Sequence, residues 1–237
     1  MKKFFRFLFR LLFWFFLLSV SWVIVYRFLP TPGTYLMLQR MAEQSMEKKR
    51  NIQIVKTWKP LTEISPQLPL AVMASEDQRF FIHDGLDFDA IEKAQEYNQK
   101  QQRKGKNKRR GASTISQQTA KNVFLWPGRS WLRKGFEVYF TLLIEFFWPK
   151  YRIMEMYLNV AEWGDGIYGA EAASKYFFDK PAAKLSRSEA ALLAAVLPNP
   201  LRWSPSRPTP YIRKRQGWII GQMNQLPPLD WEEETKK

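Results

Sequence analysis

The run Leu11 to Tyr26, LLFWFFLLSVSWVIVY, carries no charge, and at about 1.5 Å per residue it makes a helix roughly 24 Å long. Phe7 to Phe9 and Phe28 to Leu29 extend the apolar length to about 20 residues, while Arg10 and Arg27 can snorkel to the interfaces, so the segment is long enough to cross a bilayer. No A-x-A-like cleavage site follows it; the chain continues Arg27, Phe28, Leu29, Pro30, which predicts a retained anchor. Pro30, Pro32 and Gly33 break that helix, and Tyr35 to Arg50 then reads as amphipathic, with Leu36, Met37, Met41 and Met46 among polar residues. Asn51 to Trp58 alternates weakly enough to predict one short strand, and no other stretch sustains a period of two.

Helical spacing dominates the rest. It is clear in Leu132, Phe136, Phe140, Leu143, Phe147 and again in Ile153, Met154, Tyr157, Leu158, Ala161. Pro69 to Ala74 is an apolar helix candidate, and Ser186-Arg-Ser-Glu189 is a capping box before AALLAAVL, which Pro198 stops. The pattern predicts a mainly α chain: a cytoplasmic tail over 1–10, a transmembrane helix over 11–29, a juxtamembrane segment over 30–66 and a folded domain over 67–237. Lys2, Lys3, Arg6 and Arg10 precede the apolar run, and only Arg27 and Arg40 follow it closely. That bias places the N-terminus in the cytoplasm and the domain outside.

Composition narrows the chemistry. The 237 residues include no Cys and a single His, which excludes thiolates, disulfides, Cys zinc sites and histidine metal clusters; a Ser-His-Asp triad could draw only on His83. Carboxylates must carry any acid/base work. With 37 Lys plus Arg against 22 Asp plus Glu, the net charge of +15 points to an anionic partner: nucleic acid, a lipid surface or a phosphorylated substrate. Lys93 to Arg110, KAQEYNQKQQRKGKNKRR, concentrates the charge and reads as a solvated loop or a ragged helix end.

Three polar clusters adjoin the apolar helices. Glu76 and Asp77 stand where the first helix of the domain ends; Phe80 and Phe81 could desolvate a carboxylate there and favour a base, and the alternative is a surface acid paired with Arg79. In GASTISQQTAKNVF, Ser113 or Thr114 caps a helix, Thr114-x-x-Gln117 is a capping box, and Gln117, Gln118 and Lys121 follow on the first turns. Such a helix start offers N–H groups and a dipole end to an anion. In RSWLRKGFEVYF, Arg129, Arg133 and Lys134 precede Glu137, an arrangement that serves either a local ion pair or an anion.

In this order the clusters resemble the glycosyltransferase domain that polymerises peptidoglycan in class A penicillin-binding proteins and monofunctional transglycosylases. The motif E-D-x-x-F-x-x-H-x-G stands as Glu76, Asp77, Phe80, His83 and Gly85, and the second motif as Gly111 to Asn122. R-K-x-x-E is Arg133, Lys134 and Glu137; a fourth region is similar over Arg152 to Phe178 and a fifth over Ser188 to Pro205. One anchor and a chain of this length leave no room for a transpeptidase domain, so the resemblance is to the monofunctional type.

The resemblance implies a lysozyme-like, mainly helical fold with a cleft, and lipid II as substrate. It implies Glu76 as the base that deprotonates the acceptor hydroxyl, with Lys121, Arg129, Arg133 and Lys134 on the pyrophosphate and Gln117, Gln118, Ser113 and Thr114 binding substrate. Glu137 either orients those cations or holds a divalent ion; no cofactor is required. His83 is expected to anchor a loop, Glu155 and Tyr157 to Asn159 to brace the cleft, and Pro198-Asn199-Pro200 to form a rigid turn. Expected partners are lipid II, the growing glycan strand, membrane lipids and other cell-wall synthesis and division proteins, and not nucleic acid, at the bacterial cytoplasmic membrane. The rival readings are a membrane-anchored glycan hydrolase or lytic transglycosylase and, more remotely, a membrane-tethered nucleic-acid-binding protein.

Overall fold

A computed structural model describes residues 1–46 and 53–227. The chain is mainly helical, as expected. The apolar N-terminal run forms one long helix, α1 (Lys2–Phe28). Its most apolar stretch has a mean hydropathy of 2.2 and is only 11% buried, and the helix is long and apolar enough to cross a membrane. A second helix, α2 (Tyr35–Met46), follows; the rest of the predicted amphipathic segment, 47–50, lies outside the described residues.

Two helical groups build the domain. In the first, α3 (Gln67–Glu76) is apolar all round, with Leu68, Ala71, Val72, Met73 and Ala74 buried, as suits a central helix. It packs on α9 (Arg187–Val196), whose run from Ala190 to Val196 is buried throughout, and both carry α10 (Pro210–Met223). Ser186 closes the predicted capping box with Glu189 at the start of α9. In the second group, α5 (Ile115–Phe124) packs on α6 (Trp131–Phe147) and α7 (Lys150–Val160). The site lies where the C-terminal end of α3 meets α5.

Most of the basic segment is a helix. Asp87 caps α4 (Phe88–Arg103) by accepting from the Ala90 N–H, and only Ala94 of this helix is buried. Of the two forms expected for Lys93 to Arg110, a helix end is therefore adopted as far as Arg103, with a loop beyond. Asn98 closes that loop by pairing with both the N–H and the carbonyl of Arg110.

The predicted strand is reduced to β1 (Val55–Lys56), its expected first residues 51–52 lying outside the described ones. It pairs in parallel with β3 (Ile167–Tyr168), which pairs antiparallel with β2 (Glu162–Gly164), giving the order β1-β3-β2. The β2–β3 hairpin has no alternating pattern because both strands are buried; its readable signal was Asp165-Gly166, a hairpin-turn dipeptide. Gly166 has φ +74°, and a Cβ there would lie 1.9 Å from the Gln53 carbonyl oxygen.

The remaining helix, α8 (Ala170–Phe178), follows this hairpin. Of the residues expected to brace the cleft, Tyr157 reaches Gln118, whereas Glu155 and Asn159 hold the chain ahead of α3. Asn159 pairs with the Lys59 N–H and carbonyl, both at 2.8 Å, and Glu155 accepts from the Leu61 N–H at 2.7 Å.

Helix α1 is docked on the domain. Phe15 meets Phe136 and Tyr139, Trp22 meets Phe124 and Phe140, and Val23 is fully buried. Polar contacts fix the seam: Ser19 with the Tyr139 hydroxyl at 2.6 Å, and Trp148 Nε1 donating to the Val23 carbonyl at 2.8 Å. Arg152 donates to the carbonyls of Tyr26 and Leu29, where α1 ends.

Candidate active site

Glu76 and Asp77 are adjacent in sequence and separate in role. Glu76 is the last residue of α3, and Asp77 leaves the helix with φ −159°. That turn sends the two carboxylates in different directions. Asp77 is buried and receives the His83 Nε2 at 3.0 Å and the Ile115 N–H at 3.0 Å. His83 Nδ1 accepts from the Gly85 N–H, so Nε2 carries the proton given to Asp77. A histidine fixed at both nitrogens anchors the loop, as expected, and is not placed to shuttle protons. Gly85 itself has φ +90°, and its carbonyl accepts from the Thr114 hydroxyl at 2.6 Å.

The start of α5 corrects one expectation. Thr114 and Gln117 form the predicted capping box, but the dipole end is already filled by an internal anion: Asp77 sits on the Ile115 N–H, and Thr114 Oγ1 takes the Gln117 N–H. Gln117 is buried with Oε1 on the Thr114 N–H, so its carbonyl oxygen serves the cap. The helix terminus therefore secures the loop that follows Glu76, and the half-buried polar groups Gln118 and Lys121 lie further along α5.

Gln118 is one of these. Its Nε2 donates to Glu76 Oε2 at 3.2 Å, and its Oε1 faces the Tyr157 hydroxyl at 3.4 Å. Burial, followed by the charges of Glu76 and Asp77, holds the Tyr157 phenol well above its ordinary pKa, so it remains a donor. Ser75 Oγ donates to the other Glu76 oxygen at 3.1 Å, and Arg215 of α10 approaches that oxygen to 3.6 Å. Glu76 is thus gripped by polar partners instead of the phenyl rings expected beside it; Phe80 is turned into the core, with its ring against Phe81 and His83. Arg79 pairs with Asp87 and Asp89, so the alternative of a surface Glu76–Arg79 pair is not adopted.

Glu76 opens onto a cavity of about 430 Å³, whose wall includes Lys93, Arg110, Ser113, Trp218 and Gln222. Three residues along α5 from Gln118, and so on the same face, stands Lys121. Burial lowers the Lys121 pKa from its ordinary value; Glu137 and Glu76 oppose that effect, while Arg133 and Lys134 add to it. These residues meet at one place. Glu137 is buried on α6, with Oε2 on Arg133 at 3.0 Å and Oε1 on Lys134 at 2.5 Å. The local ion pair and the cationic cluster are therefore the same object: Glu137 holds two cations in position beside a third.

Arg129 stands apart. It is exposed on the connection between α5 and α6 and has no hydrogen bond or ion pair with any described residue. The donor set does not suit a divalent ion, because both Glu137 oxygens are occupied by cations. Among the described residues no three His, Asp or Glu side chains cluster to hold a metal. Sequence reasoning missed Ser75 and Arg215, and nothing local distinguishes either of them.

A carboxylate on a cavity, joined along one helix face to a cationic group, suits a reaction that takes a proton and releases an anion. Comparison with known proteins agrees. A sequence model of the transglycosylase family matches residues 42–224. A biosynthetic peptidoglycan transglycosylase of Pseudomonas putida (strain W619) is 53% identical over 217 residues, covering 92% of this chain and 89% of the relative. One from Rhodospirillum centenum is 56% identical over 207 residues, 87% of this chain and 85% of its own. One from Bacteroides thetaiotaomicron is 52% identical over 239 residues, 100% and 94%. With this coverage and identity, the chain belongs to the transglycosylase family, among the biosynthetic peptidoglycan transglycosylases.

Proposed function

We propose that this glycosyltransferase polymerises lipid II into β-1,4-linked glycan strands with release of polyprenyl pyrophosphate. The substrate's sugar is α-linked to pyrophosphate and the product is β-linked, so one inversion and one displacement suffice. The acceptor 4-hydroxyl oxygen bonds to C1 of the donor as the C1–O bond to pyrophosphate breaks. Glu76 takes the hydroxyl proton, and the leaving group departs with the bonding pair. Lys121, Arg133 and Lys134 neutralise the charge that develops on the pyrophosphate, and Glu137 keeps the latter two aligned. Arg129, without an internal partner, is free to reach the same anion.

The observation that carries this reading is the placement of Glu76 on the cavity wall, tied through Gln118 to the helix that bears Lys121. The anchor helix suits a substrate held in the membrane by its polyprenyl chain, with the N-terminus cytoplasmic and the domain outside.

Purified lipid II is the direct test. Full-length protein in detergent is expected to convert it to a polymer that a muramidase degrades, and failure to form polymer would overturn the proposal. Shortening of preformed glycan without added lipid II would instead identify a hydrolase.

A further inference from the structure

We propose that Arg215, on the C-terminal helix α10, is the positioning residue for the Glu76 carboxylate. The inference rests on the reading of Glu76 as the base. Its geometry comes from a part of the chain far from the motif that carries Glu76.

The direction of Arg215 is set by its helix. Thr209 caps α10, Pro210 begins it, and Ile212, Gln216, Ile219 and Met223 form its buried face. Gln216 Nε2 then donates to both the carbonyl and the hydroxyl of Ser188, at 2.8 Å each, fixing α10 against α9. One residue earlier, the Arg215 side chain turns toward the end of α3. Its Nη2 donates to Ser75 Oγ at 3.0 Å and lies 3.6 Å from Glu76 Oε1. Ser75 Oγ, having accepted from Arg215, donates to that same oxygen. The carboxylate is held from two sides: Gln118 of α5 on Oε2, and the Arg215–Ser75 bridge on Oε1.

Two features favour positioning over simple packing. The Nε of Arg215 is buried without an acceptor among the described residues, a cost that a purely structural arginine would ordinarily avoid. The 3.6 Å separation is too long for a direct hydrogen bond, so the guanidinium steers the carboxylate through Ser75 and leaves a lone pair on Oε1 open to a substrate hydroxyl. A planar fork of donors fixed by its helix suits that task, whereas a lysine would supply only a mobile point charge. The same helix presents Trp218 and Gln222 to the cavity, so α10 is one wall of the site.

A double-mutant cycle tests the assignment. Initial polymerisation rates and KM for lipid II are measured for wild type, R215M, R215K, E76Q and E76Q/R215M, all full-length and with matched thermal unfolding. R215M is expected to lower kcat about 10-fold or more, as misplacement of a reacting group does, with KM within twofold and partial recovery in R215K. Once Glu76 can no longer accept a proton, R215M should cost less than twofold further. An equal loss in both backgrounds would show that Arg215 acts independently of Glu76 and overturn the inference while leaving the base intact. Retention by E76Q of more than about a tenth of the wild-type rate would remove the Glu76 reading and the inference with it. If R215M fails to fold, S75A cuts the same bridge with a smaller change. It is then expected to lower kcat severalfold in the wild-type background only, and an unchanged kcat would overturn the inference.

Discussion

At the scale of single residues, burial and partners separate side chains that the sequence presents alike. Glu76→Gln keeps the shape of the side chain and one acceptor oxygen for Gln118 or Ser75 but cannot accept a proton, so turnover should fall by about 10²- to 10⁴-fold with lipid II binding retained, as rate and binding measurements on one preparation will show. Glu137→Gln leaves Arg133 and Lys134 short of a full negative charge. It should therefore change lipid II affinity as well as rate, a pairing that distinguishes it from Glu76→Gln. Lys121 carries a stability signature. Because burial depresses its pKa, keeping it charged destabilises the folded state at pH values below that folded pKa. This penalty is relieved as pH rises toward the ordinary lysine value. Lys121→Met should consequently be inactive yet melt higher than wild type at neutral pH, with the advantage shrinking by about pH 10; thermal unfolding at the two pH values checks the sign. The charge of Lys121 and its neighbours was legible in sequence, but its burial was not, since that depends on the packing of α5 against α6.

Among elements, legibility followed sequence distance. The capping boxes of α5 and α9 could be read because each lies within four residues, and the chemistry of a helix start is local. The occupant of the α5 terminus could not be read. Asp77 is 38 residues from Ile115, and a free helix start looks the same in sequence as one filled by a distant carboxylate. Arg215, 140 residues from Ser75, was equally invisible. The loop between α3 and α4 depends on such distant contacts. A Cβ on Gly85 would come within 2.6 Å of Thr141 Cγ2 and 2.9 Å of Glu145 Cγ, at φ +90°. Gly85→Ala should thus destabilise the domain by about 1–3 kcal/mol and, by shifting the loop, lower activity at temperatures where the protein remains folded. Denaturant titration alongside initial rates will test both effects.

Considered as a whole molecule, the protein is a long apolar helix, α1, and a domain joined along a shared aromatic seam. Contacts advance together along both helices, from Phe15 with Phe136 through Trp22 with Phe140 to Arg27 with the Phe147 carbonyl, so α1 and α6 run side by side in the same sense. An alkaline phosphatase fused to the C-terminus should be active in cells, and a stable but inactive fusion would reverse the proposed topology. The seam also has a consequence for depth. Even counted from Lys2, ahead of the charges expected to stay in the cytoplasm, only residues 2–14 precede the first ring contact with the domain. As a helix they reach only about 20 Å, whereas a hydrocarbon core is about 30 Å thick. If α1 crosses the bilayer, the start of α6 must sink into the outer leaflet by at least the difference, much as a hull settles to its draught. Trp131, 93% exposed, then meets lipid instead of water. The length of the free end of α1 thereby becomes a gauge of how close the cleft rides to the surface from which the proposed lipid-linked substrate would rise.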